Sequence, residues 1–207
     1  AIGGVGVPIK RLSRPAFPRG HNPISDFIPV ARIADMLLNP GAAYDFNGQQ
    51  RCYPDIRLVY WCGGNPFHHH QDLNRLLTAW QRPDTVVVHE PWWNAIARHA
   101  DIVLPATTVL ERNDIAGSFR DGTTLLANRK AMEPVSQSRH DHDIFRGMAE
   151  KMGFLDDFTE GREEMDWLRH IYDLSRQRAA KGGHEMPDFD DFWQAGRVDL
   201  SPPEEAS

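Results

Sequence analysis

The residues Cys62–Asp72, CGGNPFHHHQD, set two glycines, a turn proline and three histidines directly after a dense apolar run. Such a stretch suits a metal held by the histidines, an anionic group on a backbone cradle, or a buried structural turn. The metal fits worst. His68, His69 and His70 are consecutive, and chain neighbours point in different directions, so at most two reach one ion. No H-x-x-E-H or H-E-x-x-H spacing surrounds them. One histidine in polar contact with a ligand, and helix-start packing for the rest, is the reading carried forward.

Other polar residues follow apolar runs in the same way. His89 and Glu90 follow one run, and Thr107, Thr108 and Glu111-Arg112-Asn113-Asp114 follow another. Gly63 and Gly64 admit backbone close to a bulky group, and Asn65 can cap a helix or hydrogen-bond a ligand. Glu90 stands where nucleotide-binding folds place a carboxylate that accepts from ribose hydroxyls. Arg112 can grip a phosphate through two parallel N–H groups. Together these residue types describe a nucleotide carrying a diphosphate. GGNP is not G-x-G-x-x-G, so an ordinary nicotinamide dinucleotide site is not indicated. Glu111 and Arg112 would equally serve as a solvated ion pair. Cys62 reads as a small buried residue in preference to a reactive thiol, and Trp92-Trp93 as packing in preference to a base-stacking platform.

The elements that must position these groups are legible from periodicity. Residues 1–28 carry Pro8, Pro15, Pro18 and Pro23 and read as extended loop. IPVARIADMLLNPG spaces Val30, Ile33, Met36 and Leu37 as a short helix, and Asn47-Gly48 signals a turn. DIRLVYW is a strand stopped at Gly63-Gly64-Asn65-Pro66. Leu73, Leu76, Leu77 and Trp80 draw one apolar stripe along a helix over 71–81, ended by Pro83. Thr85–Val88 is a uniformly apolar strand of the kind covered on both faces, a helical segment follows over 95–100, and Ile102–Leu104 is a third strand closed by Pro105. Strand, helix, strand, helix, strand implies a parallel α/β unit, whose ligands bind at the carboxyl ends of the strands. The expected class is therefore α/β, a parallel Rossmann-like sheet between a loop-rich N-terminal segment and a helical C-terminal one.

Beyond it, residues 111–124 are polar, and Thr124–Asn128 reads as strand or loop. A helix follows Asp141 and ends near Gly153, another spans 161–180 before Gly182-Gly183, and Phe189, Phe192 and Trp193 anchor the tail onto the body. SPPEEAS should be disordered. The division expected is 1–53 as a linking segment with one short helix, 54–160 as the α/β cofactor-binding domain, and 161–207 as a helical, aromatic-anchored tail.

Composition narrows the function further. The 207 residues are 41% hydrophobic and 25% charged, as in an ordinary globular chain, and the net charge of -6 offers no global field for nucleic acid or an anionic membrane. The two cysteines, Cys52 and Cys62, form no C-x-x-C pair, so this chain alone assembles neither a zinc ribbon nor an iron–sulfur cluster. No apolar stretch is long enough to span a bilayer and no targeting signal is evident. The start on Ala1, in a glycine-rich apolar stretch, suggests a piece of something longer.

IPVARIADMLLNPG, YPDIRLVYWCGGNPFHHHQDLNRLLTAW, VVVHEPWW, ARHADIVLPATTVLERNDI, SRHDHDIF, FTEGREEMDWL and MPDFDDFW, in that order from about Asn22 to Val198, resemble the molybdenum oxidoreductases of the dimethyl sulfoxide reductase family. Within that family it resembles the trimethylamine N-oxide, dimethyl sulfoxide and biotin sulfoxide reductases. The resemblance implies two molybdopterin guanine dinucleotides around one molybdenum in the complete enzyme, and two-electron oxygen-atom transfer from a small S-oxide or N-oxide. It also implies that Asn65 and His69 touch a cofactor, His89 and Glu90 meet its nucleotide half, Arg112 contacts phosphate or nucleotide, and Asp141 binds the guanine side, with Asp143 as the fallback.

Family members are several-fold longer. Their molybdenum ligand lies upstream of the region matched and a further cofactor-completing domain lies downstream. Neither Cys52 nor Cys62 stands at a ligand position of the family motifs. The expectation is a middle segment without catalysis of its own, partnered by the remaining domains of the same enzyme, with an electron-donor protein or cytochrome as a candidate partner. Periplasmic and cytoplasmic members exist, so no compartment is assigned. The alternatives are a stand-alone nucleotide-binding or structural module without redox chemistry and, from a third class, a histidine-based zinc hydrolase.

Overall fold

The computed structural model describes residues 15–18, 20–24, 27–117 and 124–199. The N-terminal stretch AIGGVGVPIKR and the SPPEEAS tail, on which loose structure was expected, lie outside the described residues. The chain forms two compact units, one made of His21–Thr107 and Ser136–Ile144, the other of the remaining described residues. Each unit is therefore assembled from separated stretches of sequence.

The first unit opens with α1 (Ile33–Leu38) and a hairpin of β1 (Ala43–Phe46) and β2 (Gln49–Cys52). Its turn residues Asn47 and Gly48 both have positive φ, 49° and 73°, which is the backbone a tight two-residue hairpin requires. Next come β3 (Leu58–Cys62), α2 (Pro66–His69), α3 (Leu73–Trp80), β4 (Thr85–Glu90), α4 (Ala95–Arg98) and β5 (Ile102–Pro105). The three strands are parallel in the order β3-β4-β5, with Cys62 beside His89 and His89 beside Leu104. The apolar strand expected to be covered on both faces is the central one, and four of its six residues are buried. Val86 and Val88 pack with Leu76, Ala79 and Trp80 of α3, Phe67 of α2, Ile96 of α4 and Leu37 of α1. Three helix starts in this unit are fixed by side chains: Asn65 caps α2, Asp72 caps α3 and Asn94 caps α4, each accepting from a backbone N–H.

The second unit is built on an antiparallel sheet of β6 (Asp114–Gly117), β7 (Thr124–Asn128) and β8 (Arg197–Asp199), with β7 in the middle. Among the described residues the parallel α/β reading thus covers one of three sheets, and the fold is mixed α/β. The polar run after Glu111 gave no strand period, yet it supplies β6, because cross-strand pairing with β7 decides a short half-buried strand. The helices here are α5 (Asp141–Met152), within which the boundary between the units falls, α6 (Leu155–Thr159), α7 (Glu164–Lys181) and α8 (Phe189–Ala195). Leu125 of β7, Trp167, Leu168, Ile171 and Tyr172 of α7, and Phe189 and Phe192 of α8 form its core. The aromatic residues near the C-terminus pack against α7 and Leu125 of β7. Phe192 stacks on Tyr172 at 4.6 Å, the Tyr172 hydroxyl donates to the carbonyl of Pro187, and Arg169 grips Asp190 with two nitrogens.

Phe192 is fully buried while Trp193 is only partly so. Phe192→Ala is expected to lower unfolding stability by about 3–5 kcal/mol, and Trp193→Ala by clearly less, as read from denaturant midpoints of the two variants.

Candidate functional site

The turn after β3 is held by its own tryptophan. The Trp61 indole N–H donates to the carbonyls of Gly63 and Gly64, at 2.9 and 3.1 Å. Both glycines are left-handed, with φ of 78° and 75°, a conformation that other residues adopt only under strain. A side chain at either would meet nothing within 4 Å, so open space lies over the turn. Asn65 follows, buried, with Oδ1 accepting from the N–H of Phe67 at 3.0 Å and Nδ2 buried without a partner among the described residues. Asn65 is first a helix cap, and only its amide nitrogen is left to offer a ligand. His68 and His69 are exposed and His70 half-buried, and among the described residues no group of three or more His, Cys, Asp and Glu side chains could hold a metal.

One step along the sheet, His89 is enclosed, its side chain 1% exposed, and both ring nitrogens are engaged. Nε2 lies 2.7 Å from the Tyr60 hydroxyl, and Nδ1 lies 2.8 Å from Oδ1 of Asp141. The geometry follows from register. Tyr60 and Cys62 share one face of β3, Cys62 pairs with His89, and the long tyrosine reaches its diagonal neighbour. Asp141 starts α5, where the positive end of a twelve-residue helix favours its charge. Burial first, then negative charge at Cys62 and Asp141, pushes the Tyr60 phenol above its ordinary value. Partial burial first, then Asp141, does the same to the Cys62 thiol. Glu90, half-buried, ends β4 beside Pro105.

Two residues that sequence reasoning passed over belong to this group. Tyr60 looked like one more apolar strand position, and nothing in the local pattern signals its bond to His89. Arg139 is brought to the end of β5 by a short parallel bridge, Ala106 with Arg139, in which the N–H of Thr107 donates to the Arg139 carbonyl and the N–H of Arg139 to the Pro105 carbonyl. The arginine just before the HDHD run was the available signal.

Arg112 belongs to the second unit, where its Nε lies 3.1 Å from Asp114 and its side chain is 17% exposed. Asn65, His69, His89, Glu90 and Asp141 all belong to the first. Glu111 is buried, which excludes the solvated ion pair as its setting. Its carboxylate accepts from the Thr108 N–H and hydroxyl and from the N–H of Val135, so it caps one turn and ties down a second segment. Two further readings are corrected. Cys62, expected to be buried, is exposed because it closes an edge strand. Trp92 and Trp93, read as packing, are 68% and 65% exposed, because the chain leaves the sheet after Glu90 before Asn94 starts α4.

With this geometry in view, similarity to known proteins is informative. The family described as molybdopterin oxidoreductase matches residues 32–151. The chain is 54% identical over 199 residues to biotin sulfoxide reductase of Cereibacter sphaeroides, covering 96% of this chain and 27% of that protein. It is 51% identical over 175 residues to the dimethyl sulfoxide/trimethylamine N-oxide reductase of Rhodobacter capsulatus, covering 84% and 21%. It is 46% identical over 167 residues to the trimethylamine-N-oxide reductase of Haemophilus influenzae, covering 80% and 20%. The chain thus spans 20% to 27% of the length of these relatives. Acetylene hydratase from Pelobacter acetylenicus shares the fold, with a TM-score of 0.52 over 73% of this chain and 19% of that one, at 17% identity.

The Cys62 thiol reports on the charge of Asp141. In a Cys52→Ser background, alkylation of Cys62 by iodoacetamide is expected to rise with pH around a midpoint above that of free cysteine. Asp141→Asn removes a charge that opposes the thiolate, so it should lower that midpoint. An unmoved midpoint would show that the two groups do not sense each other.

Proposed function

The chain belongs to the molybdopterin oxidoreductase family, and from that premise we propose that it is the cofactor-binding α/β part of a molybdenum-dependent S-oxide or N-oxide reductase. The likeness to S- and N-oxide reductases along nearly the whole chain carries this reading. The family implies a molybdenum–pterin cofactor, and we assign it the guanine dinucleotide form, bound at the carboxyl ends of a Rossmann-like β3-β4-β5 sheet. When bound, that group supplies the two-electron chemistry that removes oxygen from the oxide.

The residues present fit the nucleotide half of such a group. The Gly63-Gly64 turn leaves space for a bulky group to approach backbone. Asn65 retains an unpartnered amide nitrogen as donor. Asp141 keeps one carboxylate oxygen for a ring N–H or a hydroxyl, and Glu90 stands where a ribose hydroxyl can donate. His69 is exposed on α2 and free to turn toward a polar group. Arg139, at the end of β5, supplies a guanidinium group of the kind a diphosphate calls for. In the first unit the proposed binding set is Asn65, His69, Glu90 and Asp141, with Asp143 in reserve and His89 behind Asp141, and Arg112 of the other unit is proposed separately as a phosphate or nucleotide contact. The chain's own work is to bind and orient. The remaining domains of the same enzyme, an electron donor and the small oxide substrate are its proposed partners. Among the described residues no helix is long and apolar enough to cross a membrane.

The test is cofactor content in the full-length enzyme. The wild type should carry molybdenum and release guanine nucleotide on denaturation. Arg112→Ala should lower both per mole of protein with an unchanged circular dichroism spectrum. Full content in that variant would remove Arg112 as a contact, and no molybdenum or guanine in the wild type would overturn the reading as a whole.

A further inference from the structure

His89 is so enclosed, and so fully used, that it has no surface left with which to meet a ligand. Its side chain is 1% exposed, and its two nitrogens face Tyr60 and Asp141 at 2.7 and 2.8 Å. Asp141 is different. Its side chain is 40% exposed, only Oδ1 is engaged, and among the described residues it pairs with no lysine or arginine. The contacts run from Tyr60 on the edge strand β3, through His89 on the central strand, to Asp141 at the start of α5, whose second carboxylate oxygen is left unengaged.

The Asp141 end has one direction, since an ionised carboxylate only accepts and Nδ1 of His89 therefore carries the proton shared with Asp141. At the other end the Tyr60 phenol can donate to Nε2 of a neutral imidazole or accept from an imidazolium. The first arrangement, Tyr60 O–H to Nε2 and Nδ1–H to Asp141, satisfies every member with no net charge on the ring. It also fixes the imidazole at both ends, so that Asp141 is held in one rotamer by a group that cannot swing away. An acceptor held this way selects a ligand that presents N–H or O–H donors and disfavours one that presents only acceptors.

We propose that Tyr60 and His89 are positioning residues, Tyr60 holding the His89 ring neutral through Nε2 and His89 in turn holding Asp141, through Nδ1–H, as a fixed acceptor for a donor group of a purine nucleotide. This rests on the nucleotide-binding reading above and gives His89 its role within it, as the support of a contact. A mere tether between β4 and α5 would have the same contacts but would stabilise the fold without governing nucleotide affinity.

The test uses the 207-residue chain, guanosine 5′-diphosphate as probe, and nitrogen-15 spectra of the histidine rings. In the wild type His89 should show a protonated Nδ1 and an unprotonated, hydrogen-bonded Nε2 at neutral pH, and addition of the probe should shift its Nδ1 resonance. Tyr60→Phe leaves Nε2 without its donor. The Nδ1–H toward Asp141 should persist, Nε2 should lose the resonance position of a hydrogen-bonded acceptor, and the Kd for the probe should rise by about fivefold, the value of one net hydrogen bond. An imidazolium in the wild type, or an unchanged Nε2 resonance and Kd in Tyr60→Phe, would overturn the proposal. So would a drop in melting temperature with no change in Kd, which is the outcome of a tether. If the wild type binds no probe, the nucleotide reading fails instead, and the Nε2 resonance in Tyr60→Phe decides by itself whether Tyr60 holds the ring. Should Tyr60→Phe not fold, His89→Gln keeps an N–H toward Asp141. It should bind the probe more tightly than His89→Ala, and equal affinity in the two would count against positioning.

Discussion

A polar ring buried at the end of an apolar strand constrains everything around it. β4 is covered along most of its length, and its fifth residue is His89, so each imidazole nitrogen needs a partner from the protein itself. One partner comes from the neighbouring strand, through a register that sets Cys62 opposite His89 and leaves Tyr60 within diagonal reach. The other comes from Asp141, far along the chain, and its arrival requires residues 136–144 to fold back beside β5. The parallel register, the return of the chain and the placement of an acidic helix start are thus tied to the satisfaction of one side chain.

The same rule explains the second unit. Glu111 is a buried carboxylate that accepts three hydrogen bonds, and those bonds close the turn at Thr108 and hold the backbone at Val135. Its core, by contrast, is set by aromatic packing in which Phe192 and Tyr172 stack and Phe189 meets both Tyr172 and Trp193. Polar satisfaction fixes the connections, and apolar burial fixes the layers. The stretch matched by the family, 32–151, takes in the whole parallel sheet, β6, β7 and α5 up to its last residue, and so includes parts of both units.

Legibility in the sequence followed the strength of the local signal. The stripe of Leu73, Leu76, Leu77 and Trp80 gave α3, the run TVVV gave β4, and Gly153 marked the end of α5, because periodicity, uniform burial and a left-handed cap each leave a trace within a few residues. β6 and β8 left none. Each has four residues or fewer and exists through pairing with β7. Among the candidate residues, Asn65, His89 and Glu90 were singled out from their position after apolar runs, and capping was one of the two roles open to Asn65, whereas the enclosure of His89 was not visible. Exposure was read wrongly for Cys62, Trp92 and Trp93 because residue type reports an average preference, and these lie at a sheet edge and in a loop.

By itself the sequence determined which residue types stand after which strands, the helices with a clear stripe, and the kinship with molybdopterin oxidoreductases, because these depend on neighbours in the chain or on the order of motifs. The tertiary structure alone decided that Tyr60, His89 and Asp141 meet, that Arg139 joins the end of β5 and that Arg112 falls in a different unit from them. The reason is physical. A hydrogen bond between residues 52 positions apart is set by strand register and the path of the returning chain, and neither is encoded in any short window of sequence.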